Sequence, residues 1–170
     1  IRDHCVTGVQ TCALPISGQV GTYTFNKGVT TITYTATDAS SNTTTSSMTV
    51  TVTDAQAPAV SAAANVAVNT DAGQCTASVS IVNATYSDNC TFGSAPLAFS
   101  MNGSTTGSGS GQVGTYTFNK GVTTITYTVT DASGNSSTSS MTVTVTDAQA
   151  PAVAAASNVA VNTEIGRAHV

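Results

Sequence analysis

The sequence predicts an all-β protein, an immunoglobulin-like antiparallel β-sandwich repeated in tandem, on three observations. The stretch Ser17–Thr70 returns as Ser110–Thr163 with 48 of 54 positions identical, at an offset of 93 residues. Apolar residues alternate with Thr or Ser in one run after another, the period-two pattern of strands buried on one face, and no stretch has a helical period. Thr and Ser make up close to a third of the 170 residues, while charged residues are only 7% and aromatics 5%. Threonine is β-branched and soluble, so it suits the outer face of a strand.

Taken in chain order through the complete repeat, Val66 and Val68 form a short one-sided run, and Cys75, Ala77, Val79 and Ile81 alternate with Thr76, Ser78 and Ser80. Leu97, Phe99 and Met101 form the next strand. The glycine- and serine-rich stretch Gly103–Gly111 follows and reads as a flexible loop. Tyr116 and Phe118 mark a strand that ends at the turn residues Asn119-Lys-Gly121. Gly121–Asp131 alternates Ile125, Tyr127 and Val129 with threonines, and Ser136–Thr146 does the same with Met141, Val143 and Val145. Asp131-Ala-Ser-Gly-Asn135 supplies turn chemistry between these two strands. Six or seven strands in about 90 residues is the density of an immunoglobulin-like sandwich.

The 93-residue period is too long for a solenoid unit and suits one small domain per repeat. Residues 17–56 then form the C-terminal half of one domain, 57–149 a complete domain, and 150–163 the start of a third. The linker Thr146-Asp-Ala-Gln-Ala-Pro151 is short and ends in a proline that favours extended backbone, so neighbouring domains are expected as semi-rigid beads. The two ends fall outside the repeat. Glu164–Val170 can be encoded by DNA whose reverse complement, one base out of phase, encodes Thr11–Ile16. Segments 1–16 and 164–170 therefore resemble translated sequencing-adapter read-through and are set aside from fold reasoning; the rival reading is a genuine terminal peptide.

Composition narrows the function. The net charge is −4 with only four Lys and Arg, so there is no cationic stripe to displace counterions from nucleic acid. Between Ser17 and Thr163 there is no His, Arg, Glu or Trp, and only two lysines, six aspartates and two cysteines. That excludes Ser-His-Asp and Cys-His nucleophile systems and histidine metal ligands. No aspartates cluster as an acid–base pair in the sequence, and the expectation is that the protein is not an enzyme. No apolar run reaches the 18 residues of a membrane span.

A set of short motifs appears in order: Asn65-Val66, then Asn69-Thr-Asp71-Ala-Gly73-Gln-Cys75, Ser87-Asp88-Asn89-Cys90, Val113-Gly114-Thr115, Thr126–Asn135, and Met141–Asp147 with a proline at 151. Together they resemble the hyalin repeat (HYR) family, over Ala57–Gln149 and both flanking partial copies. The resemblance implies an immunoglobulin-like fold and a role in extracellular adhesion or surface architecture, in tandem copies within large secreted or cell-surface bacterial proteins. Hyalin modules often carry four cysteines, whereas this repeat has two. The family's first cysteine falls near Ala62 and its last near Ser139 (Ser46 in the preceding copy), so both partners of one bridge are replaced together. The resemblance leaves Cys75 and Cys90 as a disulfide pair closing a loop of about 15 residues, worth roughly 3 kcal/mol in the chain-entropy model and favouring an oxidising, exported location. The other reading is two reduced thiols.

These considerations yield a non-catalytic extracellular repeat module, a stalk or spacer whose partners are neighbouring repeats of the same chain. The alternatives are a carbohydrate- or protein-binding adhesin domain and an accessory module of a secreted enzyme. Tyr86 and Phe92 are the candidate contacts for a surface glycan or protein; packing over the cysteine loop is the alternative. Asp131 and Asn135, with Ser133 between them and with Asp147 and its copy Asp54 beside the linker, are the calcium candidates, although Asp and Asn are also ordinary turn residues and calcium needs six to eight oxygens. No other cofactor is expected. Lys27 and Lys120 read as solvated turn lysines rather than isopeptide donors. Glycosylation sequons at Asn42, Asn83, Asn89, Asn102 and Asn135 are expected by chance in so threonine-rich a chain.

Overall fold

A computed structural model describes residues 22–160, and they contain eleven strands and no helix. The segments 1–16 and 164–170 lie outside the described residues. The strands are β1 (Gly28–Thr37), β2 (Thr43–Val52), β3 (Ala59–Ser61), β4 (Val66–Asn69), β5 (Thr76–Ser80) and β6 (Thr85–Ser87). They continue with β7 (Phe92–Gly103), β8 (Gly107–Ser110), β9 (Thr115–Asn119), β10 (Gly121–Asp131) and β11 (Ser136–Thr146).

The alternating runs decide the layers. One sheet has the order β4-β11-β10-β7-β8, and its apolar face is covered by the pairs β5-β9 and β3-β6. Side chains alternate across a strand, so Ile125, Tyr127 and Val129 of β10 and Met141, Val143 and Val145 of β11 all point inward. They are buried against Leu97 and Met101 of β7 and Ala77, Val79 and Phe118 of β5 and β9. The threonines between them face out. This is the sandwich expected, with β10 and β11 spanning the predicted residues.

Three short strands were not legible in the sequence. β3 and β6 are three residues each, too short to show a period, and pair with each other rather than with the large sheet. The first strand of the domain is thus divided between layers. Pro58 is fully buried before β3, and after Ser61 the chain crosses to the large sheet as β4. There β4 runs parallel to β11, with Val66 opposite Val143 and Val68 opposite Val145, so the sandwich is not wholly antiparallel. The third is β8. Gly103–Gly111, expected as a flexible loop, contains an edge strand in which Ser110 pairs with Ala98 and Gly107 with Met101. Its glycines lie against side chains of β7: a Cβ on Gly109 would stand 2.9 Å from the Phe99 ring, and one on Gly107 2.9 Å from the Met101 methyl group, so that ring or methyl would have to shift. The turn before β8 is fastened by buried threonines. Thr105 N–H donates to Thr123 Oγ1 at 3.0 Å, and Asn119 N–H donates to Thr105 Oγ1 at 2.8 Å.

The β1-β2 hairpin is the earlier copy of β10-β11 and has the same register: Ile32 is opposite Met48 as Ile125 is opposite Met141. It pairs with no other strand among the described residues.

Candidate functional site

The two ends of β10 define the poles of the domain. At the first pole, Asp131 closes β10 and the Asp131-Ala-Ser-Gly-Asn135 turn leads into β11. The turn is held by its own side chains: Asp131 Oδ1 accepts from Ser133 N–H at 2.8 Å and Asn135 N–H at 2.9 Å, and Asp131 Oδ2 accepts from Asn135 Nδ2 at 2.7 Å. Burial pushes the Asp131 carboxyl up, but the hydrogen bonds from Asn135, Ser133 and Gly134 outweigh it and hold the group below its ordinary value. Gly134 takes a left-handed φ of 91° at the tight point of the turn.

Residues from before the domain reach this turn. Asp54 belongs to the linker that follows β2. Ser133 Oγ donates to Asp54 Oδ2 at 3.1 Å, and Asn135 Nδ2 donates to the Asp54 carbonyl at 3.1 Å. Lys27, from the turn preceding β1, donates to Ser133 Oγ at 2.7 Å and lies 3.8 Å from Asp54 Oδ2. Asp88 completes the cluster: carboxylate oxygens of Asp54, Asp88 and Asp131 all lie within 4.8 Å of one another. Asp88 Oδ2 accepts from Cys90 N–H at 3.1 Å, while Oδ1 is buried without a partner. Three carboxylates and one lysine therefore meet where the preceding copy joins the domain.

The calcium candidates divide between the poles. Asp131 and Asn135 are together at the first pole. Asp147 is at the second, 3.7 Å from Lys120, because β11 carries the chain the length of the sandwich between them. Its copy Asp54, the other aspartate beside a linker, is the one that reaches the Asp131 turn. Lys27, expected as a solvated lysine, is drawn into the joint. Sequence reasoning put Asp54 beside the linker but missed its meeting with Asp131, and it missed Asp88 as a site residue; the signal for the joint was the recurrence of Lys27 and Asp54 as Lys120 and Asp147, one period on.

The expected Cys75–Cys90 disulfide is not formed; both thiols are free. Cys75 is at the second pole, where its carbonyl accepts from Lys120 N–H at 3.0 Å. Cys90 is at the first, two residues before Phe92, which pairs with Asp131. The segment between them does not loop back: β5 and β6 carry it from one pole to the other. Burial pushes the Cys90 thiol up, and the neighbouring Asp54 carboxylate adds to the shift. The two positions where the family's missing cysteines were aligned do meet: Ala62 N–H donates to Ser139 Oγ at 3.0 Å.

Tyr86 and Phe92 are brought together, edge to face with ring centroids 5.1 Å apart. Phe92 packs against the core, and Tyr86 on β6 leaves its ring accessible. Beside them, Ala62, Ala63, Asn65, Val82, Asn83 and Thr85 contribute to an open, mainly apolar groove of about 400 Å³. No helix among the described residues is long and apolar enough to cross a membrane.

A family model described as HYR domain matches residues 53–145, a span that holds β3 to β10, all but the last residue of β11, and the Asp54, Asp88 and Asp131 cluster. No curated protein matches the chain.

Proposed function

The chain belongs to the HYR domain family, and on that premise we propose that it is a non-catalytic structural or adhesive module of a secreted or cell-surface protein, acting as a stalk or spacer. One observation carries this reading: the chain comes into the domain at one pole, by Asp54 and the β10-β11 turn, and leaves at the other, by Asp147 and Lys120. The eleven residues of β10 separate those poles by roughly 35 Å. Units joined this way add length end to end. The first strand of the large sheet, β4, lies parallel to the last, β11, so tension between the ends loads their four residue pairs together, in shear. The absence of His, Arg and Glu from residues 17–163 agrees with a role that needs no acid–base chemistry.

Force spectroscopy on the full chain tests this. A single unfolding peak is expected, releasing about 300 Å of contour for a unit of this size; extension at low force without a peak would defeat the stalk reading. In this reading Lys27 supplies the counter-charge of the junction. A calcium-stiffened joint is the rival, and a melting temperature that rises with calcium and falls with a chelator would favour it. The exposed ring of Tyr86 keeps the adhesin reading in view, and glycan binding abolished by Tyr86→Ala would support that instead.

A further inference from the structure

We propose that the Lys120–Asp147 pair is a docking site for the Asp-Ala-Ser-Gly-Asn turn of a further repeat, so that successive repeats are clasped at a fixed angle rather than merely strung together. The closed form of this joint is present at the first pole. There Lys27 and Asp54 hold Ser133 and Asn135 through contacts of 2.7, 3.1 and 3.1 Å, and the Asp54 side chain is only 1% exposed.

Lys120 and Asp147 are the same two residues one period on. They already form the same ion pair, at 3.7 Å against 3.8 Å. The linker backbone is folded in the same way beside each aspartate: Gln149 N–H donates to Asp147 Oδ1 at 3.1 Å, as Gln56 N–H donates to Asp54 Oδ1 at 3.2 Å. What differs is cover, with the Lys120 and Asp147 side chains 58% and 39% exposed. The socket is therefore formed and open.

The turn that would fill it is also preformed. In the earlier copy, Asp38-Ala-Ser-Ser-Asn42 makes the same three hydrogen bonds without a socket: Ser40 N–H and Asn42 N–H to Asp38 Oδ1 at 2.8 and 2.9 Å, and Asn42 Nδ2 to Asp38 Oδ2 at 2.9 Å. Two rigid halves lose little conformational entropy when they meet. Lys27 on the socket side offsets part of the negative charge that Asp54, Asp88 and Asp131 together bring to the closed joint. The occupant is thus another repeat of this kind, presenting that turn beside an aspartate equivalent to Asp88.

The inference rests on the tandem reading, and its test separates the two. The probe is the full chain with a second copy of Ala57–Gln149 placed directly after Gln149, and NMR residual dipolar couplings report whether the two units align as one body. One common alignment is expected, lost on Lys120→Ala with Asp147→Ala, while the same double substitution leaves the melting temperature of the 170-residue chain unchanged. Two folded units that align independently, or a common alignment that survives the double substitution, would overturn the joint and leave the stalk reading standing. A second unit that fails to fold would sink both.

Discussion

Met48 and Met141 are one residue in two copies of a hairpin, with the same cross-strand partner, and they differ in what lies beneath them. Met141 is 2% exposed over the core; Met48 is 48% exposed. Removing a buried methionine side chain leaves a cavity lined by atoms that cannot close it, so Met141→Ala is expected to cost about 2–5 kcal/mol. Met48→Ala should fall within about 0.5 kcal/mol, as at an open surface position. Urea unfolding of the two variants checks this, and equal losses would mean that the first hairpin is covered in solution. The turns show a second contrast of the same kind. Ser41 holds a left-handed φ of 70° where its copy is Gly134, a conformation that strains a residue with a Cβ. The Asp38–Asn42 bonds pin it there.

Among the elements, the two hairpins were fully legible because alternation and turn residues coincide in them. Register followed from the turn: with Asp131 and Asn135 bonded to each other, Thr130 must face Ser136 and every later pair is fixed. β8 was not legible, since its glycines carry no apolar signal; in the fold the ends of the Phe99 and Met101 side chains lie over them. The cysteine pairing failed for an element-scale reason too. Fifteen residues can close a loop, but here they hold two strands that travel from pole to pole. Cys75 is exposed, and Cys90 is partly covered with a thiol raised by burial and by Asp54. Brief alkylation followed by peptide mapping should therefore label Cys75 readily and Cys90 slowly, because the thiolate is the reactive form. Recovery of a Cys75–Cys90 disulfide-linked peptide from protein that has met no reductant would restore the bridge.

For the whole molecule, scarcity of ionisable groups predicts an unusually flat response to pH. No histidine lies between residues 17 and 163, so the repeats carry no imidazole, the side chain whose ordinary value falls in the middle of the range. The acid limit belongs to Asp131. Its folded value is below the ordinary 3.8, so its contribution is complete above that value and is lost as pH falls through the folded one. The alkaline limit belongs to Cys90 and Tyr127, which burial raises above the ordinary 9.0 and 10.0. In the unfolded chain the thiol and then the phenol ionise ahead of their folded counterparts, and stability declines as pH rises past the ordinary thiol value. Thermal melts should accordingly be level from about pH 5 to 8; a step near pH 6.5, the ordinary histidine value, would show that a group outside the repeats takes part in folding.

Local order in this protein was determined by the sequence alone: a two-residue period and turn aspartates and asparagines fix the long strands and their faces. These are properties of neighbouring residues, and the near-identical copies duly form the same hairpin in the same register. Tertiary structure decided what each copy is for. β10-β11 forms core because β4, β5, β7 and β9 lie against it, while β1-β2, with the same apolar face, pairs with no further strand among the described residues. It likewise separated Asp147 from Asp131, parted Cys75 from Cys90, and brought Lys27 and Asp54 onto a turn some eighty to a hundred residues away. Such meetings depend on which pole each strand ends at, and a period-two pattern carries no information about that.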